Sequence, residues 1–179
     1  MDNKTFVIAE IGVNHNGSVK IAKKLILSAK KNNADAVKFQ SFNADRLAFK
    51  HTPKVKYQKK NSKKKETHYQ MLKKLQLSEA QQLELINFCK RKKIEFLSTP
   101  FDVEDAKILA RHGIEKFKTS SADLTDYFLH NFLNKNAREV IISTGMSTLK
   151  EISNTLKMYN KKKNKNNIIT LRFQLSVLW

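Results

Sequence analysis

The stretch Ala36-Val37-Lys38-Phe39-Gln40 carries the main indication of the fold, because it has the length and the two-residue alternation of a buried β-strand. Val37 and Phe39 fall on one face of this strand, and Lys38 and Gln40 fall on the other. Comparable apolar runs recur at residues 6–9, 36–40, 95–98, 115–118, 139–143 and 167–171. Amphipathic segments of helical length separate these predicted strands, and such serial alternation builds a parallel sheet in an α/β fold.

Helix signals between the strands support this reading. Ser18, Ser78 and Asp102 each stand where a helix is expected to begin, and their side chains can accept from the first free backbone N–H groups. The first helix is expected to bury Ile21, Leu25 and Ala29, which recur at a spacing of four. It is expected to end near Asn32 and Asn33, because Asn tolerates the left-handed conformation of a helix cap.

Two parallel architectures fit this order of elements. A closed eight-stranded barrel takes about 250 residues, and here five βα units and the start of a sixth strand use the whole chain. An open, doubly wound sheet of six strands is the alternative that length favours. The glycine pattern that binds phosphate in such sheets is absent, since Gly12 and Gly17 are five residues apart.

The composition is that of a globular protein, with 179 residues, 40% hydrophobic residues and eleven Phe. No apolar run approaches the roughly 18 to 20 residues of a membrane span, and residues 1–12 lack a signal-peptide pattern. The expected location is therefore the cytoplasm. The single cysteine, Cys89, excludes an internal disulfide and a cysteine zinc cluster, and its helical position predicts burial.

The charge of the chain is strongly positive, with 35 Lys and Arg against 16 Asp and Glu, a net charge of +19. Clustered basic residues bind nucleic acids by releasing counterions. Here only five of the basic residues are Arg, the residue that phosphate and base recognition favours, and the Lys are scattered. A solvated, Lys-rich surface is therefore favoured over nucleic-acid binding, which stays open as an alternative.

Polar residues collect at the carboxyl ends of the predicted strands, where ligand sites form in parallel α/β folds. They include Glu10, Lys38, Gln40, Thr99, Lys118, Ser121 and Ser143. A Lys inside a parallel strand loses hydration and needs a counter-anion, which Glu10 or a bound phosphate or carboxylate could supply. The alternative is that Lys38 and Lys118 extend their ammonium groups to solvent.

The five histidines show no spacing typical of a metal site. His15 is expected to orient the loop after the first strand by a hydrogen bond, in preference to ligating a metal. His51, His112 and His130 are expected at the surface.

Five ordered blocks resemble the sialic acid synthase family, which includes N-acetylneuraminate, legionaminate and pseudaminate synthases. They are IAEIGVNHNG at 8–17, ADAVKFQSF at 34–42, FLSTPFD at 96–102, FKTSSADLT at 117–125 and ISTGMS at 142–147. The resemblance implies the amino-terminal part of a TIM (β/α)8 barrel. It also implies an enzyme that condenses phosphoenolpyruvate with an N-acetylated aminosugar aldehyde and releases phosphate, with a divalent Mn or Mg polarising the aldehyde. For the complete protein, the resemblance implies a homodimer.

The resemblance also implies roles for particular residues. Phosphoenolpyruvate is expected to contact Lys38, Thr99, Lys118, Ser121 and Ser143. Glu10 and Lys38 are expected to be catalytic, and Gln40 is expected near the sugar.

The resemblance stops after Leu171, and residues 172–179 depart from the family pattern. Residues 1–171 are therefore expected to form an incomplete, truncated barrel domain, followed by an aberrant tail and without the family's antifreeze-like domain. The metal-ligating histidines of the family lie beyond this point, so no residue here is expected to bind the metal, and the chain alone is expected to be inactive. A non-catalytic remnant that binds an anion or a partner is the alternative.

Overall fold

The computed structural model describes residues 5–51, 66–160 and 167–171, and these divide into two compact units with a boundary between Glu95 and Phe96. The first unit contains β1 (Ile8–Gly12), α1 (Val19–Lys31), β2 (Ala36–Ser41), α2 (Ala44–Leu47), α3 (His68–Leu75) and α4 (Glu79–Lys92). The second contains β3 (Glu95–Pro100), α5 (Val103–Arg111), β4 (Lys116–Thr119), a 3₁₀ turn (Ser121–Asp123), α6 (Tyr127–Asn136), β5 (Glu139–Ser143), α7 (Leu149–Asn160) and β6 (Asn167–Leu171). The α/β class is confirmed.

In the first unit, β1 and β2 pair in parallel, and Glu10 lies directly opposite Lys38. The register shifts between Glu10 and Gly12, so that Gly12 pairs with Phe39. Helices α1 and α4 pack on each other. This arrangement fixes where the polar face of β2 lies, because the strand register decides which side chains are neighbours.

The first helix begins and ends as the sequence predicts. The Ser18 hydroxyl accepts from the Ile21 N–H at 3.3 Å, and Asn33 adopts the left-handed conformation with φ 61°. The predicted buried face is shifted, however, because α1 buries Ala22 and Ile26 while Ile21 is 39% exposed.

Helix α4 also follows the prediction. Ser78 and Gln81 form a capping box, and the buried residues of the helix include Leu85, Ile86 and Cys89. Burial raises the pKa of Cys89 to about 12, so this thiol is an inert part of the core.

The second unit has four strands, β3 to β6, that pair in parallel with their sequence neighbours. Asp102 caps α5 as predicted and accepts from the Asp105 N–H at 2.7 Å. The fully buried side chains of the second unit include Leu97, Leu109, Phe117, Leu129, Leu133 and Ile142. These side chains make the core against which β4 and β5 are held.

The strand bounds agree closely with the predicted ones, and the main difference is at the first strand. β1 begins at Ile8, whereas the prediction began at residue 6. Phe6 and Val7 are about half exposed, and the Val7 N–H donates to the Asp35 carboxylate at 2.8 Å. The tail 172–179 lies outside the described residues. No helix in the described part of the chain is long and apolar enough to cross a membrane.

We expect Gly17→Ala to destabilise the protein more than Gly113→Ala. Both glycines have positive φ, 74° and 79°, so each substitution introduces left-handed strain of about 1 to 2 kcal/mol. A Cβ at Gly17 would also overlap the Lys74 carbonyl oxygen, which adds roughly 2 kcal/mol, whereas a Cβ at Gly113 meets nothing. Urea unfolding of both variants measures the difference in the free energy of unfolding. Equal losses in the two variants would contradict the overlap expected between a Cβ at position 17 and the Lys74 carbonyl oxygen.

Candidate active site

The polar face of the first unit is built around a buried ammonium group. The Lys38 Nζ lies 2.9 Å from Glu10 Oε2, and the Lys38 side chain is only 6% exposed whereas that of Glu10 is 55% exposed. Lys38 therefore does not extend to solvent. The ion pair supplies a negative partner to the buried ammonium, as the sequence predicts, and its carboxylate remains in contact with water.

Gly12 keeps room beside this ion pair. Its φ of 53° is left-handed, and a Cβ at this position would stand 3.1 Å from Glu10 Oε1 and 3.8 Å from Gln40 Nε2. Glu10, Gln40 and Lys38 therefore lie around the same bend at the end of β1. A side chain at position 12 would crowd the Glu10 carboxylate, and glycine avoids this contact because it has no Cβ.

His15 acts as an orienting residue in the loop after β1. Its ring is fully buried and packs against the Phe39 ring in a tilted arrangement, with 5.9 Å between the ring centroids, and its Nδ1 accepts from the Gly17 N–H at 3.0 Å. Burial lowers the pKa of His15, so the neutral ring is favoured. The predicted loop-orienting hydrogen bond is present.

In the second unit, Lys118 contacts a hydroxyl. Its Nζ donates to Ser143 Oγ at 2.6 Å, and Ser143 is 4% exposed. Thr99 is 3% exposed and lies on the same face as Lys118, since both come one residue after the paired positions Ser98 and Phe117. The unit thus collects an ammonium group and hydroxyls, which suit an anionic ligand.

Ser121 stands on the 3₁₀ turn that follows β4, beside a cavity of about 250 Å³. The cavity is lined by Ser121, Ala122, Leu124, Thr125, Gly145, Met146, Ser147 and Glu151. Its wall is made from the segments that follow β4 and β5 and from Glu151 near the start of α7. Ser121 is therefore accessible to a small ligand at the end of the sheet where sites of parallel folds form.

The divalent ion that the resemblance implies would need several oxygen or nitrogen ligands. Among the described residues, no group of three or more His, Cys, Asp or Glu could hold a metal ion. The residues described here therefore do not by themselves fit such an ion, and none of them is assigned to it.

Several buried polar groups of the second unit were not singled out from the sequence. His130, predicted at the surface, is fully buried, and its Nδ1 lies 2.7 Å from the Tyr159 hydroxyl. The Thr155 hydroxyl, also fully buried, donates to the Leu124 carbonyl at 2.8 Å. No local pattern marks these residues, because their partners are about thirty positions away. The His130 prediction was wrong because α7 covers that face of α6.

Comparisons with known proteins agree on one family. The family model described as the NeuB family matches residues 25–173. The chain is 43% identical over 148 residues to the N,N'-diacetyllegionaminic acid synthase of Legionella pneumophila, covering 82% of this chain and 41% of the relative. It is 42% identical over 168 residues to the enzyme of the same name from Campylobacter jejuni, covering 94% and 50%. The chain thus spans about half the length of the curated relatives it matches.

A solved structure shows the same fold. The crystal structure of the N-acetylneuraminic acid (sialic acid) synthetase from Leptospira borgpetersenii, in complex with citrate, superposes with a TM-score of 0.79 at 27% identity. The match covers 95% of this chain and 54% of that one. The assignment to the partial barrel of the sialic acid synthase type is confirmed, and the open doubly wound alternative is set aside.

We expect the free energy of unfolding to fall as pH rises from about 4 to 6, because of Asp123. Its Oδ2 is buried without a hydrogen-bond partner among the described residues. Burial, and then the charge of Asp126, raise the pKa of Asp123 from 3.8 to about 6. The folded state therefore holds its proton across a pH window in which the unfolded chain loses it, and stability decreases there.

Asp123→Asn should remove this effect. We expect the variant to gain roughly 1 kcal/mol at pH 7.5, after allowance for solvent screening of a half-buried carboxyl, and nothing below pH 4. Urea unfolding at both pH values measures the difference. Glu104→Gln makes the same carboxyl-to-amide change at an exposed ion pair with Lys107, and this control should show no gain in stability at pH 7.5. A gain in the free energy of unfolding that is the same at both pH values would contradict the raised pKa of Asp123.

Proposed function

The chain belongs to the NeuB family, and on that premise we propose that it carries the phosphoenolpyruvate-binding part of a nonulosonic acid synthase. The observation that carries the proposal is the buried Lys38, held inside the parallel strand β2 with Glu10 as its partner. The proposal concerns the whole protein, since the chain corresponds to 41% and 50% of its two cited relatives.

The proposed reaction joins two substrates. Carbon three of phosphoenolpyruvate forms a new C–C bond with the aldehyde carbon of an open-chain N-acetylated aminosugar. Water adds to carbon two, and the C–O bond to phosphate breaks, so that inorganic phosphate leaves. Because relatives at 42% and 43% identity are N,N'-diacetyllegionaminic acid synthases, a diacetylated aminosugar is the first substrate to try.

The residues divide the binding of phosphoenolpyruvate between ammonium groups and hydroxyls. Lys38 and Lys118 supply positive charge for the carboxylate and phosphate of the ligand. Hydroxyls donate to the same oxygens without adding charge, and those proposed for this role belong to Thr99, Ser121 and Ser143. The hydrogen bond from Lys118 to Ser143 fits this division, because it holds the ammonium at a hydroxyl that can turn toward a bound oxygen.

Glu10 and Gln40 are proposed for the other side of the reaction. Glu10 is half exposed beside Lys38, so its carboxylate can leave the ammonium when an anion replaces it. It then stands free as the acidic group near the reacting centre, and the adjacent Gln40 is proposed to contact the sugar. The divalent Mn or Mg, the homodimer and the cytoplasmic location stay predictions.

We expect Lys38→Ala and Lys118→Ala each to weaken phosphoenolpyruvate binding by about 10- to 150-fold. Each loses a charge-assisted hydrogen bond worth roughly 1.5 to 3 kcal/mol. Calorimetric titration with phosphoenolpyruvate measures the affinity, and a turnover assay of the whole protein should show a raised KM or no product.

Lys107→Ala is the matched control, because it removes the same charge from an exposed pair with Glu104 on α5. It should bind phosphoenolpyruvate as the unaltered protein does. An equal loss of affinity in all three variants would mean that the net positive charge of the protein attracts phosphoenolpyruvate and that no specific site binds it. Unaltered affinity in both Lys38→Ala and Lys118→Ala would refute the proposed roles.

A further inference from the structure

We propose that Thr155 is a positioning residue for Ser121, and that its buried hydroxyl fixes the turn on which Ser121 meets phosphoenolpyruvate. This inference rests on the proposed function, since it adds a residue on which the phosphoenolpyruvate site depends. Thr155 itself does not line the cavity beside Ser121. It acts through the backbone of Leu124.

The connection from Thr155 to Ser121 consists of two hydrogen bonds. The Thr155 Oγ1 donates to the Leu124 carbonyl at 2.8 Å, and the Leu124 N–H donates to the Ser121 carbonyl at 3.4 Å. Thr155 is fully buried and Leu124 is 2% exposed, so water does not compete at this contact. The peptide groups that carry Ser121 are thus tied to a helix that follows β5.

The bonds that shape the turn from within are local and cannot set its place on the unit. Ser120 Oγ accepts from the Ala122 N–H at 3.2 Å, and the Asp123 N–H donates to the Ser120 carbonyl at 3.1 Å. Both join residues two or three positions apart, so the turn could keep them while moving as a body. The Thr155 bond spans 31 positions and therefore restrains that movement.

Threonine is a costly choice at this point of a helix. Thr155 lies inside α7, where a β-branched side chain loses rotamer freedom and where its hydroxyl can bond back to its own helix. Here the hydroxyl reaches a different segment instead. Valine would fill the same volume and leave the buried Leu124 carbonyl without this donor. The specific contact of Thr155 is therefore made by its hydroxyl and not by the shape of its side chain.

Helix α7 has other bonds to α6, and these supply a matched control. Asn134 Nδ2 donates to the Met158 carbonyl at 3.0 Å, and the His130 ring bonds the Tyr159 hydroxyl. The Asn134 bond is again a side-chain donor on a backbone carbonyl, but it does not touch the turn. A variant at Asn134 therefore loosens the helix pair without releasing Ser121.

The experiment measures phosphoenolpyruvate affinity by calorimetry for Thr155→Val, Thr155→Ser, Asn134→Leu and Ser121→Ala. We expect Thr155→Val to bind about tenfold more weakly, as the loss of one hydrogen bond implies, and Thr155→Ser to bind within about twofold of the unaltered protein. Asn134→Leu should lower the Tm and leave the affinity unchanged. Amide hydrogen exchange of residues 121–124 should rise in Thr155→Val and not in Asn134→Leu.

The double variant Ser121→Ala with Thr155→Val separates this inference from the proposed function. If Thr155 acts through Ser121, the second change should cost no more than about twofold once Ser121 is gone. If Ser121→Ala binds normally, the proposed role of Ser121 is wrong, and this inference falls with it. If Ser121→Ala weakens binding while Thr155→Val does not, or if Asn134→Leu weakens it equally, the inference alone is overturned.

Discussion

A buried ammonium group needs a negative partner, and the ion pair between Lys38 and Glu10 meets that need in the first unit. An unpaired ammonium in the interior costs several kcal/mol, so the strand carrying Lys38 has to lie where a carboxylate can reach it. The parallel register of β1 and β2 sets Glu10 directly opposite Lys38. The register shift after Glu10 and the left-handed Gly12 bend the end of β1 beside the carboxylate. The loop between β1 and α1, which contains His15, starts from that bend.

In the second unit, the ammonium group of Lys118 contacts a hydroxyl. Lys118 donates to the Ser143 hydroxyl, and a hydroxyl accepts a hydrogen bond without cancelling the charge. The carboxylate of Glu10 pairs with Lys38, and the Ser143 hydroxyl helps to hold the Lys118 side chain in place. The first unit thus contains an ammonium whose carboxylate partner is half exposed, and the second contains an ammonium that contacts a hydroxyl able to donate to an anion.

Local signals allowed much of the fold to be predicted. Ser18, Ser78 and Asp102 cap helices because their side chains act within three residues, and strands follow apolar alternation. The start of β1 was misplaced because the Val7 N–H bonds to Asp35, 28 positions away. The buried polar contacts of α7 were missed for the same reason. The face of α1 was predicted one residue off, since Ala22 and Ile26 share a helix spacing as good as that of the predicted set.

The charge of +19 and the charges of the site act over different distances. Exposed pairs such as Lys23 with Glu84 and Lys73 with Asp45 are screened by water, so each contributes little to stability. The excess positive surface attracts anions over roughly 8 to 10 Å at moderate salt, which speeds their approach but does not distinguish among them. Lys38, 6% exposed, is screened far less and can contact one ligand with fixed geometry. In the proposed anion site, the surface lysines would influence how often an anion arrives, and the buried lysine would influence which anion stays.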